Sequence, residues 1–183
     1  MIYHLSLQTA GIIAGVLLLI VGLPGVLKPD FSSRLATRLP RSRNAGIVLL
    51  SIDLLWCFWL LATMEMGEFS SFRRPLLIAL LIGFFLVLRF VDEFLAVRAL
   101  GILFLLGAEP LLDAAFFQYE TSRLLVTVFA YLLIVVGLFW VMMPYLLRDQ
   151  ISWSARNPSR WRALHLIALI YGAAILACAF TRY

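Results

Sequence analysis

Residues 124–147, LLVTVFAYLLIVVGLFWVMMPYLL, pass without one charged side chain. A hydrocarbon core of about 30 Å is crossed by roughly 20 helical residues, so this stretch alone is long enough to thread a bilayer. Three more stretches behave alike: residues 5–27 and 163–181 carry no charge, and 44–64 carry only Asp53. Across 183 residues the chain is 63% hydrophobic and 14% charged, too little polar surface to cover an apolar core in water. These features predict an all-α fold, a polytopic transmembrane helix bundle forming a single transmembrane domain over 1–183 with no soluble domain.

The spacing of charges predicts six spans, at about 3–27, 46–64, 75–91, 94–108, 122–147 and 162–180. The first is expected to be a retained span rather than a signal peptide, because no Lys or Arg precedes it and no small-x-small pattern follows. The third and fourth are short. The connection RFVDEFLAVR between them holds no Gly, Pro, Asn or Ser, so one long helix over 75–106 competes with a hairpin. Charge counting favours the hairpin, since cytoplasmic loops near spans collect Lys and Arg. With six spans and both termini outside, Lys28, Arg34, Arg38, Arg41, Arg43, Arg89, Arg98, Arg148, Arg156, Arg160 and Arg162 lie inside, 11 in all, against 4 outside. Fusing the central spans would put two equally basic loops on opposite sides. The expected location is a cell membrane of the bacterial inner-membrane type.

Residues 17–29, LLLIVGLPGVLKP, and 132–144, LLIVVGLFWVMMP, agree at seven of thirteen positions, Gly22 with Gly137 and Pro29 with Pro144 among them. Each leads into a basic loop with a late Pro and two Arg, then into another span. This order reads as a duplicated two-helix hairpin, spans 1–2 and 5–6, with the short central pair between the copies. Shared composition among apolar helices is the competing explanation.

In the loop KPDFSSRLATRLP, Phe31, Leu35 and Leu39 recur every four residues beside Arg34, Arg38 and Arg41. That is an amphipathic helix in the interface, capped by Asp30 or Ser32, whose arginines together with Arg43 meet anionic lipid headgroups. Membrane lipids are thus the expected partners. Trp153 and Trp161 fit an aromatic belt. Gly11, Gly15, Gly22 and Gly25 share a helical face and predict close helix packing, against a last span offering Ala168, Gly172, Ala173 and Ala177, or against another subunit or a second copy.

The charges with a physical cost are the functional candidates. Asp53 lies mid-span, where an ionised carboxylate costs at least ~2.5 kcal/mol, so it is expected to be paired, hydrogen-bonded, protonated or wetted. Arg89 or Arg98 are the expected structural partners; a proton or cation site is the functional reading. Arg89, Asp92, Glu93 and Arg98 form an inner-face turn of mutually neutralised charge in a hairpin, or a buried ion path in a long helix. Glu109 and Asp113 in GAEPLLDAAF predict a break, with Gly107 ending one helix and Pro110 opening the next. Interrupted helices of this kind also mark transporter sites.

No metal, cofactor or nucleic-acid motif is present in the sequence, and Cys57 and Cys178 read as packing residues. His4 and His165 fall near opposite faces, so one haem bridged by both is not expected; one His sharing a haem or chlorin with another subunit is the remaining cofactor reading. The expected function is a non-catalytic structural or accessory subunit, or a self-associating scaffold, of a membrane assembly. The alternative is a small transporter or channel moving protons or another ion past the intramembrane charges.

Overall fold

Uncharged apolar runs become helices here because each backbone polar group in hydrocarbon needs an internal partner. The computed structural model describes residues 3, 5–91 and 94–183; the chain is 87% helical and, among the described residues, has no strands and eight α-helices. They are α1 (Leu7–Leu27), α2 (Pro29–Arg38), α3 (Arg43–Thr63), α4 (Arg73–Phe90), α5 (Leu95–Ala115), α6 (Arg123–Met142), α7 (Tyr145–Ala155) and α8 (Pro158–Thr181). Six are long and apolar enough to span: α1, α3, α4 with the turn before it, α5, α6 and α8. Successive spans alternate in direction, which gathers the 28–42 and 143–157 connections, with Phe94, on one face, the basic face. The 64–72 and 116–122 connections lie at the opposite, terminal face, with Tyr3 and Tyr183.

The central stretch is a hairpin and not one helix. α4 ends at Phe90, and Phe94 turns the chain through a left-handed conformation at φ 56° before α5 begins. Asp92 and Glu93 lie outside the described residues, as does His4, so the proposed pairing within the Arg89–Arg98 turn is not described. At the other end of α5 the expected break does not occur. Helix continues through Gly107 and Pro110 to Ala115. Proline withholds one backbone donor, but Ala108, Pro110, Leu111, Ala114 and Ala115 are all buried, and that packing outweighs the lost bond.

The fifth span is shorter than its uncharged run. α6 stops at Met142, and α7 starts after Pro144 as a separate helix on the basic face, where no helix was expected. Both flanking units therefore read span, short surface helix, span: α1–α2–α3 and α6–α7–α8. Their packing differs, however. Gly22 of α1 meets Leu169 and His165 of α8, whereas its sequence counterpart Gly137 of α6 meets Gly101 and Leu105 of α5. α5 lies between α3 and α6, as expected of the central pair, while α4 rests outside, chiefly on α3, with no buried residue.

Two glycine-lined pairs hold the bundle. Gly11, Gly15, Gly22 and Gly25 all face α8, against Ala179 and Tyr183, Leu176, Leu169, and the His165 ring respectively. Of the small residues on α8, Gly172 joins this seam, while Ala173 and Ala177 face outward. At the α5–α6 crossing Gly101 and Gly137 oppose each other directly. The two pairs share a core that includes Ala10, Ala14, Val126, Ala130 and Ile175. Small residues suit this place, since close approach of backbones supplies the dispersion that lipid would otherwise match. The terminal face is tied by Tyr183, whose hydroxyl donates to the Ser122 carbonyl at 2.6 Å, and by Tyr171, which donates to the Leu125 carbonyl at 2.8 Å.

At the basic face α2 forms where its periodicity places it, with Phe31 and Leu35 exposed beside Arg34 and Arg38. Neither Asp30 nor Ser32 caps it. The helix opens on Pro29, whose fixed φ suits the first turn, and the Ser32 hydroxyl donates instead to the Pro29 carbonyl. Trp161 likewise leaves the expected aromatic belt. It is 5% exposed, and its indole N–H donates to Ser32 Oγ at 2.8 Å, fastening α8 to α2. Trp153 does face outward, with the Arg160 guanidinium 5.0 Å above its ring.

Candidate functional site

Asp53 is the eleventh of 21 residues in α3, so it sits about 15 Å from either helix end at 1.5 Å per residue. Gly46, Leu50 and Asp53 are the buried residues of α3, spaced along one face. That face lies on α5: a Cβ at Gly46 would press on Leu95 and Ala96, and Leu50 packs with Leu95 and Ala99. The same periodicity that seals an apolar seam therefore carries one carboxyl into it. Asp53 is 2% exposed, and both of its carboxylate oxygens are buried without a hydrogen-bond partner among the described residues. The expected pairing with Arg89 or Arg98 is absent among the described ion pairs. Arg89 faces outward at the basic end of α4, and Arg98 stands one turn into α5 with its Nε buried and without a partner among the described residues. An ionised carboxylate so placed lacks at least ~2.5 kcal/mol of solvation on membrane-insertion scales, which a proton, a cation or water must supply.

Polar groups continue from Asp53 toward the terminal face. Cys57 follows one turn later on the same side of α3, within electrostatic reach of Asp53. Trp56, its neighbour, donates its indole N–H to the Tyr3 hydroxyl at 2.6 Å. Tyr3 in turn stacks tilted on Trp59 at 5.5 Å and interacts with both Cys57 and the Glu109 carboxylate. Glu109 and Asp113 are a helical turn apart on α5 and repel one another. Both line an open cavity of about 390 Å³ with Leu105, Ala108, Leu112, Phe116 and Ile134. The unbroken helix decides this: continuing α5 through Pro110 stacks the two carboxylates on one face.

A second cleft, of about 420 Å³, opens on the basic face between Pro40, Arg41, Ser42, Arg43, Phe94, Leu95 and Arg148. Arg148 pairs with the adjacent Asp149 at 2.8 Å and lies 5.7 Å over the Phe94 ring. Arg34 and Arg38 stand apart from this cleft on α2. The structure thus separates these charges: Arg34 and Arg38 on the interfacial helix, Arg41 and Arg43 at a cleft, Arg89 and Arg98 at the basic ends of α4 and α5, and Glu109 and Asp113 at the opposite face, with Asp53 between.

Among the described residues no cluster of His, Cys, Asp and Glu is arranged to hold a metal ion. His165 is engaged in packing, its ring against Gly25 and its Nδ1 2.8 Å from the Trp161 carbonyl. Sequence reasoning did not find Tyr3, Trp56 or Phe94. Asp53, Trp56 and Cys57 do share the three-and-four spacing of one helical face, a signal visible in the sequence; the approach of Tyr3 from a distant segment is not. No protein-family model, no curated protein and no solved structure matches this chain.

Proposed function

We propose that this chain is a non-catalytic structural or accessory subunit, or scaffold, of a membrane assembly. One observation carries the reading: α4 is a full span with no buried residue, held chiefly by α3, while the other spans close on one another through glycine and alanine. A helix anchored along one side presents Ile78, Ile82 and Phe85 to whatever adjoins it in the bilayer. Association there draws on side-chain packing rather than on water exclusion. Photo-crosslinkers at Ile78 and Phe85 in native membranes are expected to give one protein adduct of defined mass, either a second copy or another subunit. Control positions Val128 and Val135 on α6 are expected to give none. Lipid adducts alone at all four positions would refute the scaffold role.

The eleven basic residues gathered on one face support a cell membrane of inner-membrane type with that face inward and both termini outward. The exposed apolar and basic strips of α2 support contact with anionic headgroups, at about 1 kcal/mol per Arg near the surface. A second reading, a small proton or cation transporter, draws on the unpartnered Asp53. In it, liposomes holding the purified chain pass an ion flux that Asp53→Asn abolishes. No flux in the unmodified protein would end that reading.

A further inference from the structure

We infer that Asp53 is a proton-binding site reached from the terminal face alone, by a polar track through Cys57, Tyr3, Glu109 and Asp113. The inference deepens the second reading above by assigning the ion and the side, and it rests on that reading only for turnover; the site and its access stand on geometry.

Three observations carry it. Asp53 is buried at mid-depth with neither carboxylate oxygen partnered among the described residues, so a proton, a cation or water must complete it. From Asp53 toward the terminal face, Cys57, Tyr3 and Glu109 follow one another within electrostatic or hydrogen-bonding reach. The track ends at an open cavity whose two carboxylates, Glu109 and Asp113, attract cations. In the other direction the α3–α5 seam is apolar: Leu50, then Gly46 against Leu95 and Ala96, with Ala99 beside them. A water-filled route toward the basic face would have to part these side chains. The charged groups on the neighbouring helices are Arg73, Arg74 and Arg89 on α4 and Arg98, Glu109 and Asp113 on α5; none of these is an electrostatic partner of Asp53, whereas Cys57 is. Asp53 and Cys57 stand one helical turn apart, about 6 Å along the axis at 1.5 Å per residue, a spacing that suits a proton relayed by one or two waters better than a hydrated metal cation, which needs several oxygen ligands at once.

Cys57 gives the track a built-in probe. In lipid its thiol has no access to a charged reagent, since the thiolate is the reacting form and needs a wet surrounding. In a Cys178→Ser background, sealed vesicles of both orientations are treated with a cationic and an anionic methanethiosulfonate. The cationic reagent is expected to modify Cys57 at least tenfold faster from the side bearing the 116–122 loop, and at least tenfold faster than the anionic one. Glu109→Gln with Asp113→Asn is expected to erase that charge preference while leaving Cys57 reactive. Separately, dicyclohexylcarbodiimide, which attacks protonated carboxyls in apolar surroundings, is expected to modify Asp53, as read by peptide mass, and to do so less as pH rises. Equal rates from both sides, no charge preference, or an unmodified Asp53 would overturn the inference. Positive labelling without any flux would instead sink the transport reading and leave the site intact.

Discussion

Replacing Gly137 with alanine tests the glycine seams most sharply, because a chemically identical change at Gly83 serves as its control. A Cβ at Gly137 would stand 2.8 Å from the Gly101 carbonyl oxygen and 3.2 Å from Leu105 Cγ. The first of these is backbone, so α5 and α6 must part by about half an ångström, a gap that forfeits roughly a quarter of the dispersion along the crossing. Overpacking of this kind costs about 1–3 kcal/mol, against which alanine returns up to about 1 kcal/mol of helix propensity. Gly137→Ala is therefore expected to lose up to about 2 kcal/mol. At Gly83 a Cβ meets nothing within 4 Å, so Gly83→Ala keeps the propensity gain of up to about 1 kcal/mol and nothing opposes it. Reversible unfolding in mixed detergent, followed by the fluorescence of the five tryptophans, reads both. Since the propensity term is common to both, the predicted gap is the overpacking cost alone, about 1–3 kcal/mol. Equal effects at the two glycines would refute the packed α5–α6 crossing.

Other changes probe single contacts. Asp53→Leu is expected to leave the fold intact and to raise stability in the same assay, since an unpartnered buried carboxyl contributes no bond to lose; a loss of about 2 kcal/mol or more would reveal a partner. Trp161→Phe removes the indole bond to Ser32, at a cost of about 1 kcal/mol, and hydrogen exchange is expected to quicken in α2 while α5 is unchanged. Tyr183→Phe removes the bond to the Ser122 carbonyl, also worth about 1 kcal/mol. Burial holds the Tyr183 phenol above its ordinary value of 10.0, so that contribution is full below pH 10 and shrinks as pH rises further. The stability gap between the parent and Tyr183→Phe should narrow in strongly alkaline buffer, and a gap that widened would reverse the assigned sign.

The architecture was largely legible because hydrocarbon imposes one simple demand, a long run with little or no charge; four stretches meet it, and the two shorter central spans followed from where the arginines gather. The hairpin at Phe94 was read correctly from where arginines gather, although its local sequence holds no turn residue; a phenylalanine at φ 56° has no signature a reader could use. The break at Pro110 was misread because proline chemistry was weighed locally, whereas burial of Ala108, Leu111, Ala114 and Ala115 settled it. Trp161 was misplaced for a similar reason: its partner, Ser32, is 129 residues away. Asp53 stood out by its cost in the sequence. That it lacks a partner among the described residues, and that Tyr3 and Glu109 converge beyond it, depends on how α3 packs beside α5, which no periodicity specifies.

Cysteine accessibility in sealed membranes addresses the threading itself. In a background lacking Cys57 and Cys178, single cysteines at Thr37, Arg89 and Ser152 are expected to react with an impermeant maleimide from one side only, and those at Ser70 and Gln118 from the other side only. A cysteine at Arg89 that labels with Ser70, or that stays protected from both sides, would contradict the six-span bundle on which every inference above depends.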